Sequence, residues 1–380
     1  MQREEKMPDP IQAIKEWCKS KLTQDVVNAM DQGVMSAVPL YKEFAQEGLM
    51  EFVKPTEGAA ALPNLTAAVK ILAAYSGDFG NIVTLNCLGA MLLGLFGDEA
   101  QKKISEEMLR GEKLFCFSLT EPEAGSDIQN LKTSAIRQGD QWFINGRKLF
   151  ATGAADADYI LLAVRSNPDL AINRGMSLFL VPRETPGLTI SPMNKIASNG
   201  FPSCEILLDN APVKNDALVG GQDAGWGVIA FTGAMERLLV AAGCVGLCSR
   251  VVHYVYEYAQ QRMISGKPLY EIQWVNHCLS DLAVRIQAAD LMVKDAVEKV
   301  SSGANPAIEI CGAKAFASEL QQGVIMSAMK IMGGRAYLKD HPVERWMREG
   351  LLSLYAGGTN ELQKNLIARK LPGLMAQQDY

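Results

Sequence analysis

Glu236 stands near the head of the stretch AMERLLVAAGCVGL, and the small and apolar residues that follow it belong in a protein interior. A carboxylate at the start of such a run sits in or beside the core, where loss of water raises its pKa toward the range useful for a general base. The chemistry this allows is abstraction of a weakly acidic proton. An exposed Glu-Arg pair on a helix would ordinarily be a solvated charge, and the apolar continuation is what sets this one apart. A second stretch, LYAGGTNELQ at residues 354–363, sets two glycines, a threonine and an asparagine between helical runs. Glycine lets backbone N–H groups approach a ligand with no Cβ in the way. Gly357 and Gly358 have no side chain to move a proton, so any base serving this turn must come from another part of the chain.

Few other constellations carry chemistry. The eight cysteines (Cys18, Cys87, Cys116, Cys204, Cys244, Cys248, Cys278 and Cys311) are scattered, mostly inside apolar runs, and form no CxxC pair. Buried reduced thiols in a cytoplasmic protein are expected from that pattern. His253, His277 and His341 lie at no helical ligand spacing from one another, so no metal site is expected. The net charge of -5 lacks the broad basic footprint of a nucleic-acid binder, and nucleic acid is not an expected partner. The start, MQREEKMPDPIQAIKEWCKSKL, mixes acidic with basic residues and has no long apolar core, which fits neither a signal nor a transit peptide. Apolar runs such as MLLGLF are too short to span a bilayer, so no membrane span is expected.

The elements that must position Glu236 and the glycine turn fall into three regions. With 380 residues, 48% hydrophobic and 21% charged, the chain is long enough for two or three domains. Over residues 1–112 the apolar spacing is helical, in VPLYKEFAQEGLMEFV, LTAAVKILAAYSGDF and VTLNCLGAMLLGLFG. Over residues 113–221 short runs of β-formers such as YILLAVRS and MSLFLVP alternate with Gly, Pro, Asn and Asp, which predicts a central β-barrel or sandwich. Over residues 222–380 the helical period returns in segments long enough for a four-helix bundle. The expected class is therefore an α+β multidomain chain in the order helices, sheet, bundle.

Across these regions run SLTEPEAGSD at residues 118–127, INGRKLFATGA, the Gln261-Arg262 pair, IMGGRAY and GGTNELQKNLIARKL. In this order the chain resembles the acyl-CoA dehydrogenase family. The first stretch is the most specific match, with Glu123 where glycine is more usual. The resemblance implies FAD as cofactor. Isoalloxazine is a flat apolar ring with a polar edge, so it needs a wall and hydrogen-bond donors. By resemblance Thr120 serves the pyrimidine edge, Gly125 and Ser126 the pyrophosphate, Phe150 the ring face, and Thr152 the neighbourhood of N5. Further cofactor contacts are implied for Gln273, Gly333, Gly334, Thr359 and Glu361. Arg262 is implied to reach the pyrophosphate of a flavin held by a neighbouring subunit, which makes a homotetramer the expected assembly. Ser265, Lys330 and Arg335 depart from the family's pattern at this corner.

Many members of the family carry a glutamate where Gly357 stands. The isovaleryl and long-chain types instead take their base from a segment like ERLLxA, and here that places Glu236 as base and Arg237 against the thioester ligand. The implied reaction is α-proton removal by Glu236, with the Gly357 N–H polarising the thioester carbonyl and the β-hydrogen passing as hydride to flavin N5. The product is a trans-2-enoyl-CoA, with an electron-transfer flavoprotein as the implied partner for reoxidation. Ala234 replaces an aspartate common in relatives, which leaves open a substrate carried as an acyl or aminoacyl thioester on a carrier protein. The sequence is also compatible with a non-catalytic flavin-binding member and with an oxidase.

Overall fold

The computed structural model describes residues 9–376, so the charged start of the chain lies partly outside the described residues. By their contacts the residues gather into two compact units. One is made of residues up to Asn28, Leu62–Gly80 and Glu236 onward; the other of Ala29–Ala61 and Asn81–Met235.

The helices in chain order before the first strand are α1 (Pro10–Lys21), α2 (Gln24–Asp31), α3 (Val38–Gln46), α4 (Leu62–Tyr75), α5 (Gly77–Phe96) and α6 (Glu99–Leu109). The apolar run from Leu65 through Phe79 is thus split. Ser76 ends α4 and turns its Oγ to accept from the Phe79 N–H at 3.2 Å, which caps the start of α5. α6 begins with a full capping box in which Asp98 and Gln101 each bond the other's backbone N–H.

In the second unit the strands are β1 (Phe115–Ser118), β2 (Ser134–Gln138), β3 (Gln141–Thr152), β4 (Tyr159–Arg165), β5 (Met176–Pro182), β6 (Leu188–Pro192), β7 (Ser203–Lys214) and β8 (Leu218–Val219), with the short helix α7 (Ile172–Gly175) between β4 and β5. They form one mixed eight-stranded sheet in the order β6-β7-β3-β2-β4-β5-β8, with β1 parallel to β4 off that path. β4 reads as a nearly unbroken apolar run because both of its faces are covered. Ile160, Leu162 and Val164 enter a core with Trp142, Phe179 and Ile206. Leu161 and Ala163 enter the opposite core with Leu93, Met108, Phe115 and Leu178. The helices on that side are tied down by buried polar groups: the Tyr41 hydroxyl donates to Met108 O at 2.8 Å, and Asn86 Oδ1 accepts from the Phe115 N–H at 3.1 Å.

In the first unit, α8 (Gly225–Gln261) supplies its part from Glu236 on and is followed by a small hairpin of β9 (Met263–Ile264) and β10 (Lys267–Pro268). α9 (Gln273–Ser301), α10 (Ala307–Met332), α11 (Val343–Gly350) and α12 (Asn360–Met375) complete it. α10 is buried on most of its surface and packs against α9, α11 and α12, so it is the axial helix of this unit. α8 and α4 approach so closely that a Cβ on Gly246 would lie 2.0 Å from Lys70 O. Lys70 and Lys294 (the latter at 2.8 Å) pair with Asp290, which joins α4 to α9. The chain is helix-rich, with a central mixed sheet and a C-terminal helical region. Two helices, α5 and α8, are long and apolar enough by composition to cross a membrane, but 72% and 61% of their apolar windows are buried inside the protein.

Candidate active site

In the sheet unit, the loop after β1 is locked by a buried ion pair. Lys148 on β3 is fully buried and donates to Glu121 Oε1 at 2.7 Å and to Leu119 O at 3.1 Å. Glu121, 4% exposed, also accepts from the backbone N–H groups of Lys132 at 2.6 Å and Thr133 at 3.0 Å. Burial pushes the Glu121 carboxyl up, but the charge and hydrogen bond of Lys148, with the two backbone donors, hold it below its ordinary value. Burial pulls the Lys148 ammonium down to about 8 against the opposing pull of Glu121. Both groups are therefore charged at pH 7, and neither has water to compete with its partners.

With its stem fixed, the loop presents its other residues outward. Thr120 is half-buried and its carbonyl accepts from the Leu149 N–H at 2.9 Å, while Gly125 and Ser126 are exposed. A Cβ on Gly125 would meet nothing within 4 Å, so the backbone there is open to a ligand. Phe150 holds a left-handed backbone (φ 57°) and is 59% exposed, an uncommon conformation for a bulky residue that turns its ring out of the strand pattern. Thr152 shares a 2.9 Å hydrogen bond with the Ser203 hydroxyl.

In the helical unit the structure brings Glu236, Arg237 and Gly357 together. Glu236 as a residue is half-buried, with its carboxyl enclosed. Burial raises its pKa above the ordinary carboxylate value, opposed by the charge of Arg237, a hydrogen bond from the Gly357 backbone N–H and the charge of Lys314. Gly357 and Gly358 both hold left-handed backbones, at φ 66° and 90°. Arg237 Nε donates to Gly357 O at 3.2 Å, so this side chain clasps the turn. From beneath, Lys314 of α10 donates to Leu354 O at 3.2 Å, Gly358 O at 2.8 Å and Asn360 Oδ1 at 2.8 Å. Gln363 Nε2 reaches Gly357 O at 3.1 Å and Gly358 O at 3.0 Å.

The remaining residues singled out in the sequence lie elsewhere on this unit. Arg262 is exposed in the connection from α8 into the β9–β10 hairpin, and Gln273 is exposed at the first position of α9. Gly333 and Gly334 follow α10 in open space. Thr359 Oγ1 accepts from the Leu362 N–H at 3.2 Å, and Glu361 is exposed in the first turn of α12. Lys148, Glu121, Lys314, Asn360 and Gln363 were not singled out in the sequence as site residues. The one available signal for Lys314 was a lone charge inside the small apolar run ICGAKAFA.

The family's middle-domain model matches residues 116–211, and its C-terminal-domain model, "Acyl-CoA dehydrogenase, C-terminal domain", matches residues 223–371. An acyl-CoA dehydrogenase of Bacillus subtilis is 32% identical over 88% of this chain and 89% of its own. The chain belongs to the acyl-CoA dehydrogenase family. As a member it is an oxidoreductase. Among solved structures, the FAD complex of PigA has a TM-score of 0.88 at 26% identity, covering 96% of this chain and 97% of that one; PigA has also been solved with FAD and proline. The prolyl acyl carrier protein oxidase AnaB, at 23% identity, shares the fold with a TM-score of 0.86 over 95% of this chain and 97% of its own. The residues present fit a flavin on structural grounds. The exposed Phe150 ring offers a wall, the open backbone at Gly125 offers a close approach, and Thr120 and Ser126 offer hydroxyls.

Proposed function

We propose that this oxidoreductase catalyses the α,β-dehydrogenation of an acyl-CoA thioester to the trans-2-enoyl-CoA, with Glu236 as the base. The observation that carries the reading is the enclosed Glu236 carboxyl against the N–H of a glycine turn that has no carboxylate of its own. FAD is the cofactor, held by Thr120, Gly125, Ser126, Phe150 and Thr152, and when bound it supplies the acceptor for two electrons and the β-hydrogen. Glu236, kept short of water, takes the α-proton. The Gly357 N–H stabilises the charge that develops on the thioester oxygen. Arg237 donates to the carbonyl of that glycine and so holds the turn, whose N–H rests on Glu236 in the free protein and passes to the thioester oxygen when substrate enters. Anaerobic titration of the holoenzyme with a panel of acyl-CoAs tests the reading: bleaching of the flavin absorbance is expected, and no bleaching by any of them overturns it.

A second reading has Ala234 as its specific support. Where relatives that act on CoA often have an aspartate, this chain has a methyl group, which suits an acyl or aminoacyl thioester on a carrier protein. PigA, solved with proline, and AnaB, a carrier-protein oxidase, make that class worth including in the panel. Bleaching by a loaded carrier protein alone would move the assignment to it, and release of hydrogen peroxide would identify oxygen as the acceptor. We take an electron-transfer flavoprotein as acceptor otherwise. All eight cysteines are free thiols, in keeping with a reducing cytoplasmic setting.

Two results are expected from variants of the helical unit. Gly357→Glu combined with Glu236→Gln should restore part of the bleaching lost in Glu236→Gln alone. The new Cβ makes only ordinary contact with Arg237 Cγ at 3.5 Å, but the left-handed backbone makes a glutamate cost about 1–2 kcal/mol of stability, seen as a lower Tm. An exposed Arg262 suits a role toward a neighbouring subunit in a homotetramer. Arg262→Ala should shed FAD on gel filtration, with charge-assisted hydrogen bonds worth about 1.5–3 kcal/mol each removed. A parent protein that is monomeric by light scattering and still holds FAD tightly would refute the shared site.

A further inference from the structure

We propose that Lys314 is the positioning residue of this site: from inside the helical unit it holds the oxygens of the Leu354–Asn360 turn and thereby aims the Gly357 N–H at the Glu236 side. The inference deepens the function proposed above and rests on it for the role of Glu236. An ammonium group has three donors and no acceptor. Lys314 Nζ meets three acceptors, Leu354 O, Gly358 O and Asn360 Oδ1, at 3.2, 2.8 and 2.8 Å, and the residue is fully buried. The match is complete, so the cation sits in the core with every donor used. Asn360 is held in turn by the Ser318 hydroxyl, which donates to the same Oδ1 at 3.0 Å.

The geometry of the turn follows from where its carbonyls are drawn. Lys314 and Gln363 take Gly358 O, while Arg237 and Gln363 take Gly357 O. With those oxygens pulled inward and the backbone at φ 66°, the Gly357 N–H is left facing the Glu236 carboxyl. Two consecutive left-handed glycines have little conformational preference of their own, so the anchor must come from side chains. Lys314 also contributes charge. The groups that act electrostatically on it or on Glu236 are Arg237 and Cys244 of α8 and Glu361 of α12, and Cys311 of α10 feels both Lys314 and Arg237. Among them Lys314 and Arg237 are the cations that favour the ionised Glu236, so removing Lys314 raises the pH at which the base becomes available.

The test uses the FAD-loaded holoenzyme of the parent, Lys314→Met and Asn360→Ala, the last keeping the lysine but removing one of its acceptors. Hydrogen exchange of the backbone amides at 354–362, measured without substrate, is expected to quicken at least tenfold in Lys314→Met and to a smaller degree in Asn360→Ala. Flavin reduction by the acyl-CoA that bleaches the parent is expected to slow about 10²-fold in Lys314→Met, with KM little changed. The acid limb of its pH profile is expected to move to higher pH. Parent-like exchange in both variants overturns the proposal, and so does faster exchange with an acid limb that has not moved. If Lys314→Met yields no folded protein, exchange in Asn360→Ala decides alone. Glu236→Gln reducing flavin at the parent rate would remove Glu236 as base, and the exchange measurement still judges the anchor by itself.

Discussion

Glu236→Gln should keep its FAD and lose reduction of it by substrate by about 10²–10⁴-fold, the usual worth of a positioned base. The side chain keeps its size, so binding and fold are expected to survive. The parent should also show a dependence on pH of a definite sign. A base works only when ionised, and burial holds Glu236 above the ordinary carboxylate value, so the reduction rate falls as pH drops through that raised pKa. The limb lies at higher pH than that of an exposed glutamate, and it vanishes in the variant. Stopped-flow reduction across pH in both proteins checks each part, and parent-like reduction in Glu236→Gln would falsify the assignment.

Lys148→Met should be the most destabilising single change in the sheet unit. It removes one partner of a fully buried pair and leaves the Glu121 carboxylate facing an apolar chain, a situation that costs about 3–5 kcal/mol. The loop that follows, with Thr120, Gly125 and Ser126, loses its anchor at the same time, so FAD retention should fall together with Tm. In the parent, the contribution of Glu121 has its own pH window. The folded-state pKa is lowered from 4.5, so the stability it provides is present above that value and is lost as pH falls through the lowered pKa. Urea unfolding of parent and variant at pH 7 measures the difference. A change under about 1 kcal/mol would show that the pair is not what holds the loop.

What could be read from the sequence, and what could not, divides along a physical line. The position of Glu236 was legible because the residues beside it carry the information: LLVAAGCVGL has no solvent-facing stripe, and a carboxylate at its edge is drawn into the interior with it. The glycine turn was legible from composition. The break at Ser76 was not, because the apolar spacing runs through it and only the cap on Phe79 N–H marks the new helix. Central β-structure was legible as alternating runs and turns, but the strand order was not, since the parallel pairing of β1 with β4 joins segments far apart in the chain. Lys148 stands in GRKLF as an ordinary surface lysine would, while Lys314 shows only as a charge among the small apolar residues of GAKAF. The partners that hold them lie 27 to 46 residues away, and no local pattern reports those.

The division of the chain into two contact units has a kinetic consequence. The helical unit takes residues up to Asn28 and Leu62–Gly80 from the beginning of the chain and everything from Glu236 onward from its end. During synthesis α1 and α4 can pair as soon as both have emerged, burying Ile14 and Leu65. The surface of α4 that packs on α9 has no partner until most of the chain has been made. The sheet unit needs nothing beyond Met235, and its strands can close first. Closure of the helical unit joins segments of large sequence separation and is therefore the slow, late step. Until then α4 keeps an exposed apolar surface that a chaperone would hold.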